Sequence, residues 1–136
     1  MALFYYKTKM KIWVKGEQKE KIVAKQHLQG TLTEKDIAKR LTKSLSMEAP
    51  EILLMMDELA DQIMAAVLSG RSVKVDGLGT FSPSLKTHGN ENVDDVNANA
   101  IEKVKINFRP DIELKRAMQK AKVEYYEELN TQHINK

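Results

Sequence analysis

The side chains of this 136-residue chain that could do chemistry are mostly charged ones. Near the start, Tyr6, Thr8, Met10, Ile12 and Val14 alternate with Lys7, Lys9, Lys11, Trp13 and Lys15. On an extended chain that period of two sets the lysines in a row on one face. A row of ammonium groups suits successive phosphates. The same row also serves as a solvated edge that keeps a sheet from adding strands. Both readings stand for Lys7, Lys9, Lys11 and Lys15 as a second basic patch. The three histidines, His27, His88 and His133, lie in separate segments, and none sits at a recognisable spacing from a nucleophile. No glycine-rich loop has the form that cradles a phosphate. No enzyme activity and no small-molecule substrate is expected. His88, Glu91, Asp94 and Asp95 could face a cation, but their spacing fits neither an EF-hand nor a zinc site, and a polar arm explains them equally. No metal and no cofactor is expected.

These residues must be positioned by elements that the patterning makes legible. Residues 2–28 read as two strands, with Gly16-Glu-Gln-Lys as the reversal and Lys21-Ile-Val-Ala-Lys25 returning. Thr33 is set to cap a helix whose first turn holds Glu34 and Asp36, with Ile37, Ala38, Leu41 and Leu45 as its apolar stripe. Pro50 suits the first turn of a second helix over 51–69. That helix carries Ile52, Met55, Met56, Leu59, Ile63, Met64, Ala66, Val67 and Leu68, a face wider than one short partner helix needs. It is read as core or as a subunit interface. Gly70 caps its end, and Val73 and Val75 alternate with Ser72, Lys74 and Asp76 in a strand over 72–85. Gly77 and Gly79 within it permit a bulge or a close backbone approach. Residues 86–100, rich in Asn, Asp and Gly, read as an exposed arm. Glu102 to Phe108 returns as a strand that Pro110 ends. Asp111 then caps a last helix carrying Ile112, Leu114, Ala117, Met118, Ala121, Tyr125 and Leu129.

Bulk composition bounds the class. The chain has 42% hydrophobic residues, enough for one core, and a net charge of +3 with a pI near 9.0. The charge is uneven: residues 1–30 carry +5, residues 31–69 carry −3, and the rest +1. Mild basicity alone does not argue for a nucleic-acid partner. With no cysteine, disulfides and thiolate metal sites are excluded. No run approaches the ~18 apolar residues of a membrane span, and a soluble, intracellular protein is expected.

Gly70 with Val73 and Val75, the run Gly77-Leu-Gly-Thr-Phe81, then Phe108-Arg-Pro110 and Leu114-Lys115 together resemble the HU and integration-host-factor family of bacterial histone-like proteins. The resemblance covers roughly residues 31–123, and the extra strand pair resembles that of a variant HU-like group with an N-terminal extension. It implies an α+β, HU-like fold: a helical base, an antiparallel sheet with a protruding β-arm, and an intertwined dimer, here with an added N-terminal β-hairpin. The domain plan is a two-strand extension at 1–30, an HU-like DNA-binding domain at 31–129, and a frayed tail at 130–136. The resemblance also implies an architectural, nucleoid-associated protein that binds double-stranded DNA in the cytoplasm as a homodimer, largely through phosphates and DNA deformability. At positions matching the family's basic ones stand Lys86 at the arm root, Lys103 and Lys105 on the returning strand, Arg109 before the proline, and Lys115. These are the implied DNA-binding residues, though each is also readable as an ordinary solvated cation.

Two departures qualify the mechanism. The family's arm bears an Arg-Asn-Pro tip among basic residues, whereas residues 86–102 here carry a charge of −3 and have neither arginine nor proline. Pro83 lies at the root, too early to act as a wedge. Asp111 also replaces the family's phosphate-facing glycine, so a carboxylate competes for the N–H groups a phosphate would use. Proline kinking by the family's route is not expected. The alternative function is a dimeric protein-interaction module on the same fold that has lost DNA bending.

Overall fold

The structure, a computed structural model, describes residues 2–126. The chain divides into two compact units, Leu32–Ala117 and a second assembled from the segments on either side of it.

The flanking unit is a three-stranded sheet. Strands β1 (Ala2–Val14) and β2 (Glu17–His27) form the expected hairpin, antiparallel from Phe4↔His27 to Val14↔Glu17. The reversal is tighter than the sequence suggests: a two-residue turn of Lys15 and Gly16, with φ of 52° and 80°. Two left-handed residues in succession match the right-handed twist of the flanking strands. The third strand, β6 (Lys122–Tyr125), runs parallel to β1 and pairs with Ala2–Tyr5. This corrects the expected long last helix. The alternation of Lys122, Val123, Glu124 and Tyr125 is that of a strand, and Val123 and Tyr125 find Leu3 and Tyr5 as cross-strand partners. Tyr126 closes the sheet: its N–H donates to the Tyr5 carbonyl at 2.9 Å, and its ring stacks on His27 at 5.1 Å. Leu129 and the tail at 130–136 lie outside the described residues.

In the other unit, α1 (Glu34–Leu41) opens on a capping box. Thr33 Oγ1 accepts from the Asp36 N–H at 3.3 Å, and Asp36 Oδ2 accepts from the Thr33 N–H at 2.9 Å. The Thr33 N–H, together with the Thr33 hydroxyl that donates to the same oxygen at 2.8 Å, holds the Asp36 carboxyl below its usual 3.8. Leu45, placed in the stripe of this helix by its spacing, falls in the turns that follow it. Helix α2 (Ala49–Leu68) has Pro50 in its first turn. It ends in a Schellman motif: Arg71 N–H donates to Ala66 O and Gly70 N–H to Val67 O, both at 3.0 Å, with Gly70 at φ 84°.

The strand expected over 72–85 is two strands. Strand β3 (Val73–Val75) turns back through Asp76–Leu78 into β4 (Gly79–Thr87), and β5 (Ile101–Pro110) pairs with β4 in the antiparallel order β3-β4-β5. Gly77, at φ 83°, makes the turn possible. Gly79 provides the close approach: a Cβ there would collide with the Arg109 carbonyl oxygen and the Phe108 ring. Phe108 lies 4.8 Å, centroid to centroid, from Phe81, its cross-strand partner. Between β4 and β5 the arm contains two 3-10 turns, Val93–Asp95 and Ala98–Ala100. Helix α3 (Ile112–Gln119) follows β5.

Helix α1 packs on α2, and α2 on β3 and β4. Yet only Ala38, Ile52, Val67 and Ala100 are buried among the described hydrophobic residues. Leu54, Leu59 and Leu68 of α2 remain 63%, 52% and 79% exposed, and Val104 and Ile106 of β5 remain 68% and 58% exposed. Each such side chain forgoes roughly 1–2 kcal/mol of burial.

Candidate nucleic-acid interface

Register sorts the β3-β4-β5 sheet into two chemically distinct faces. Cross-strand partners share a face. The pairs Lys74↔Thr80, Thr80↔Arg109, Ser82↔Asn107, Ser84↔Lys105 and Lys86↔Lys103 therefore form one polar face. Ser72 joins it through a 2.9 Å bond between its hydroxyl and that of Ser82. Val73, Val75, Phe81, Leu85, Val104, Ile106 and Phe108 alternate onto the other face.

At the end of the polar face away from the arm lies a cleft of about 420 Å³, lined by Lys74, Thr80, Arg109, Pro110, Asp111, Ile112 and Lys115. It brings Arg109 and Lys115, two of the expected DNA-binding residues, together with Lys74, expected only as a polar residue on a strand face. The signal for Lys74 was its alternation with Ser72 and Asp76; what sequence could not give was the register that sets it beside Thr80, the partner of Arg109. Lys74 also lies 3.8 Å from Asp76, an exposed ion pair of small worth.

Asp111 holds this cleft in shape. Its Oδ2 accepts from Gly77 N–H at 2.9 Å and its Oδ1 from Ile112 N–H at 2.8 Å. Its own N–H donates to the Leu78 carbonyl at 2.8 Å. The residue thus ties the β3-β4 turn to the start of α3. Those two backbone donors, Gly77 first, hold its carboxyl below the usual 3.8. Of the N–H groups at the start of α3, that of Ile112 is taken by this carboxylate.

Lys103 and Lys105 sit further along β5, on the same face. Lys86 is directly across from Lys103, and its ammonium lies 3.5 Å from Glu102 Oε2. Glu102 Oε1 is also 3.9 Å from His88 Nδ1. Lys86, expected at the arm root, therefore stands there in an exposed ion pair. Among the described residues, no three His, Asp or Glu side chains gather as a metal-ligand set. Lys7, Lys9 and Lys11 belong to the flanking unit, on one face of β1, with Lys15 in the turn.

Fold and site define an α+β module: a helix pair, a three-stranded sheet drawn out into an arm, and a cationic face along that sheet. Residues 1–125 match the family described as an HU domain fused to a wHTH, Ig, or glycine-rich motif, and the chain belongs to that family. The HU and integration-host-factor resemblance is borne out. A relative, integration host factor subunit alpha of Actinobacillus succinogenes, is 29% identical over 99 residues, covering 68% of this chain and 96% of its own. A crystal structure from Bacteroides vulgatus, described as a presumptive bacterial DNA-binding protein, shares the fold with a TM-score of 0.64 at 13% identity. That similarity covers 91% of this chain, which spans 47% of the Bacteroides protein. The HU and integration-host-factor family consists of DNA-binding architectural proteins rather than enzymes. No described helix is long and apolar enough to cross a membrane.

Proposed function

We propose that the chain is an HU-like architectural protein of the bacterial nucleoid, binding duplex DNA with little sequence specificity through phosphate contacts. The observation that carries this reading is the cationic face: Lys74, Arg109 and Lys115 in one cleft, continued by Lys105 and Lys103 along β5. Ammonium and guanidinium groups spaced along a sheet neutralise phosphates and release counterions, with no base edge needing to be read. Family membership supports the same partner. The acidic arm works against arm-led bending, and Lys86 at its root stands beside Glu102 in an exposed ion pair of small worth. The contact is therefore assigned to the sheet rather than to the arm tip. The alternative, a protein-interaction module, is not favoured by the family match.

The reading extends to a homodimer. The exposed apolar faces of α2 and β5 leave a single chain with a small core, and a second copy would cover like with like. A cytoplasmic, nucleoid-associated location follows from the same reading.

The test is fluorescence anisotropy of a labelled ~30 bp duplex at several salt concentrations. Each phosphate contact contributes about 0.9 to the log–log salt slope. Charge reversal at Lys103, Lys105 and Arg109 should flatten the slope by about 2–3 and weaken binding. An unchanged slope would remove the sheet face as the contact surface.

A further inference from the structure

The β1-β2 hairpin has features that the sheet-face reading leaves unused. It carries seven lysines, Lys7, Lys9, Lys11, Lys15, Lys19, Lys21 and Lys25, against Glu17 and Glu20. Among the described residues none of these ammonium groups has a carboxylate within ion-pair distance. The register separates them. Lys7, Lys9 and Lys11 share one face with Trp13, while Lys19, Lys21 and Lys25 pair with Ile12, Met10 and Tyr6 on the other. The ribbon is therefore cationic on both sides. Glu20, opposite Lys11, is the acidic residue of the Lys7–Lys11 face, and Glu17 sits opposite Val14 on the other. Lys7 is already steered, its ammonium 5.0 Å from the centre of the Tyr125 ring.

Trp13 stands two residues before the turn and is 73% exposed, although it is the sole tryptophan and Trp is highly buried on average. A lysine-lined two-stranded ribbon with an exposed aromatic near its tip has the chemistry of a groove-lying nucleic-acid contact. Cations track phosphates, and an apolar side chain reaches sugars or base steps. The arm between β4 and β5 has the opposite sign, at −3 over residues 86–102.

We propose that the β1-β2 hairpin is a second DNA-contacting ribbon, its lysines on the phosphate backbone and Trp13 against the duplex near the turn. This rests on the reading of the chain as a duplex-DNA binder. The competing explanation, lysines that guard the edge of β1 beyond Tyr5, makes a different prediction for the same variants.

Because Trp13 is the sole tryptophan, fluorescence of the full, unaltered chain excited at the red edge, where tyrosine does not absorb, reports on the hairpin alone. Titration with a ~30 bp duplex should quench or shift that emission, saturating at the same DNA concentration as anisotropy of the labelled duplex. The triple variant Lys7→Gln, Lys9→Gln, Lys11→Gln should flatten the salt slope by about 2–3 while leaving its far-ultraviolet circular dichroism unchanged. Duplex binding with silent Trp13 emission and an unchanged slope in the triple variant overturns the ribbon and leaves the sheet-face reading standing. A variant that aggregates but whose soluble fraction keeps the full slope also overturns it, in favour of edge protection. A duplex that does not bind at low salt overturns both readings.

Discussion

At residue scale, Asp111 is the position where stability and binding pull in opposite directions. Its carboxylate accepts from Gly77 and Ile112 and so joins the β3-β4 turn to α3, yet it places a negative charge in a cleft lined by Lys74, Arg109 and Lys115. Asp111→Ala should lower Tm by a few degrees, because two backbone donors lose their partner. The same change should tighten duplex binding, because the cleft sheds an anion. The pH dependence has a definite sign. The folded carboxyl is held below its usual 3.8, so its stabilisation is complete above that value and is lost as pH falls through the folded-state pKa. The Tm gap between the two proteins should therefore be full at pH 7 and close progressively below about pH 3.8. A gap that keeps its full pH 7 size as the pH falls would mean that the carboxylate is not what holds the turn.

At the scale of elements, the N-terminal hairpin shows how a turn can be legible in type but not in position. The alternation of Tyr6 to Lys15 marked the strand, and Gly16 marked the reversal. Only the structure shows Lys15 itself in the left-handed region at φ 52°. Lysine pays for that conformation, whereas asparagine tolerates it and Asn-Gly favours this turn type. Lys15→Asn should raise stability by about 0.5–1 kcal/mol, read as an upward shift of the thermal midpoint. An unchanged or lower midpoint would mean that the turn is not under strain. The capping of α1 by Thr33, the first-turn Pro50 and the Gly70 terminus were all legible, since capping is local chemistry written in three or four adjacent residues. The last helix was misread past Gln119 for the converse reason. Ala121 and Tyr125 fit a helical stripe, and what makes Lys122–Tyr125 a strand is β1, more than a hundred residues earlier in the chain. The same limit hid Lys74. Its polar face was visible in the alternation, but its place beside Thr80 and the Arg109 cleft depends on register between strands.

At the scale of the whole molecule, the exposed apolar residues decide what the chain needs. Leu54, Met55, Leu59, Met64 and Leu68 are more than half exposed on one helix, and Leu85, Val104 and Ile106 are more than half exposed on one face of a sheet. A chain of this size ordinarily closes its core, and exposed apolar patches this extensive mark contact surfaces. The breadth of the α2 face, visible in the sequence, is the same fact seen from one helix. If a second copy covers these faces, light scattering at micromolar concentration should give twice the chain mass of 15.5 kDa. The thermal midpoint should also rise with protein concentration, because association stabilises by mass action. Leu59→Glu, in the middle of α2, should then cost about 2–3 kcal/mol, through lost burial and a carboxylate forced into the interface. Its signature would be specific: a shift toward monomer together with a lower midpoint. A mass near 15.5 kDa for the unaltered protein, with a midpoint independent of concentration, would overturn the homodimer.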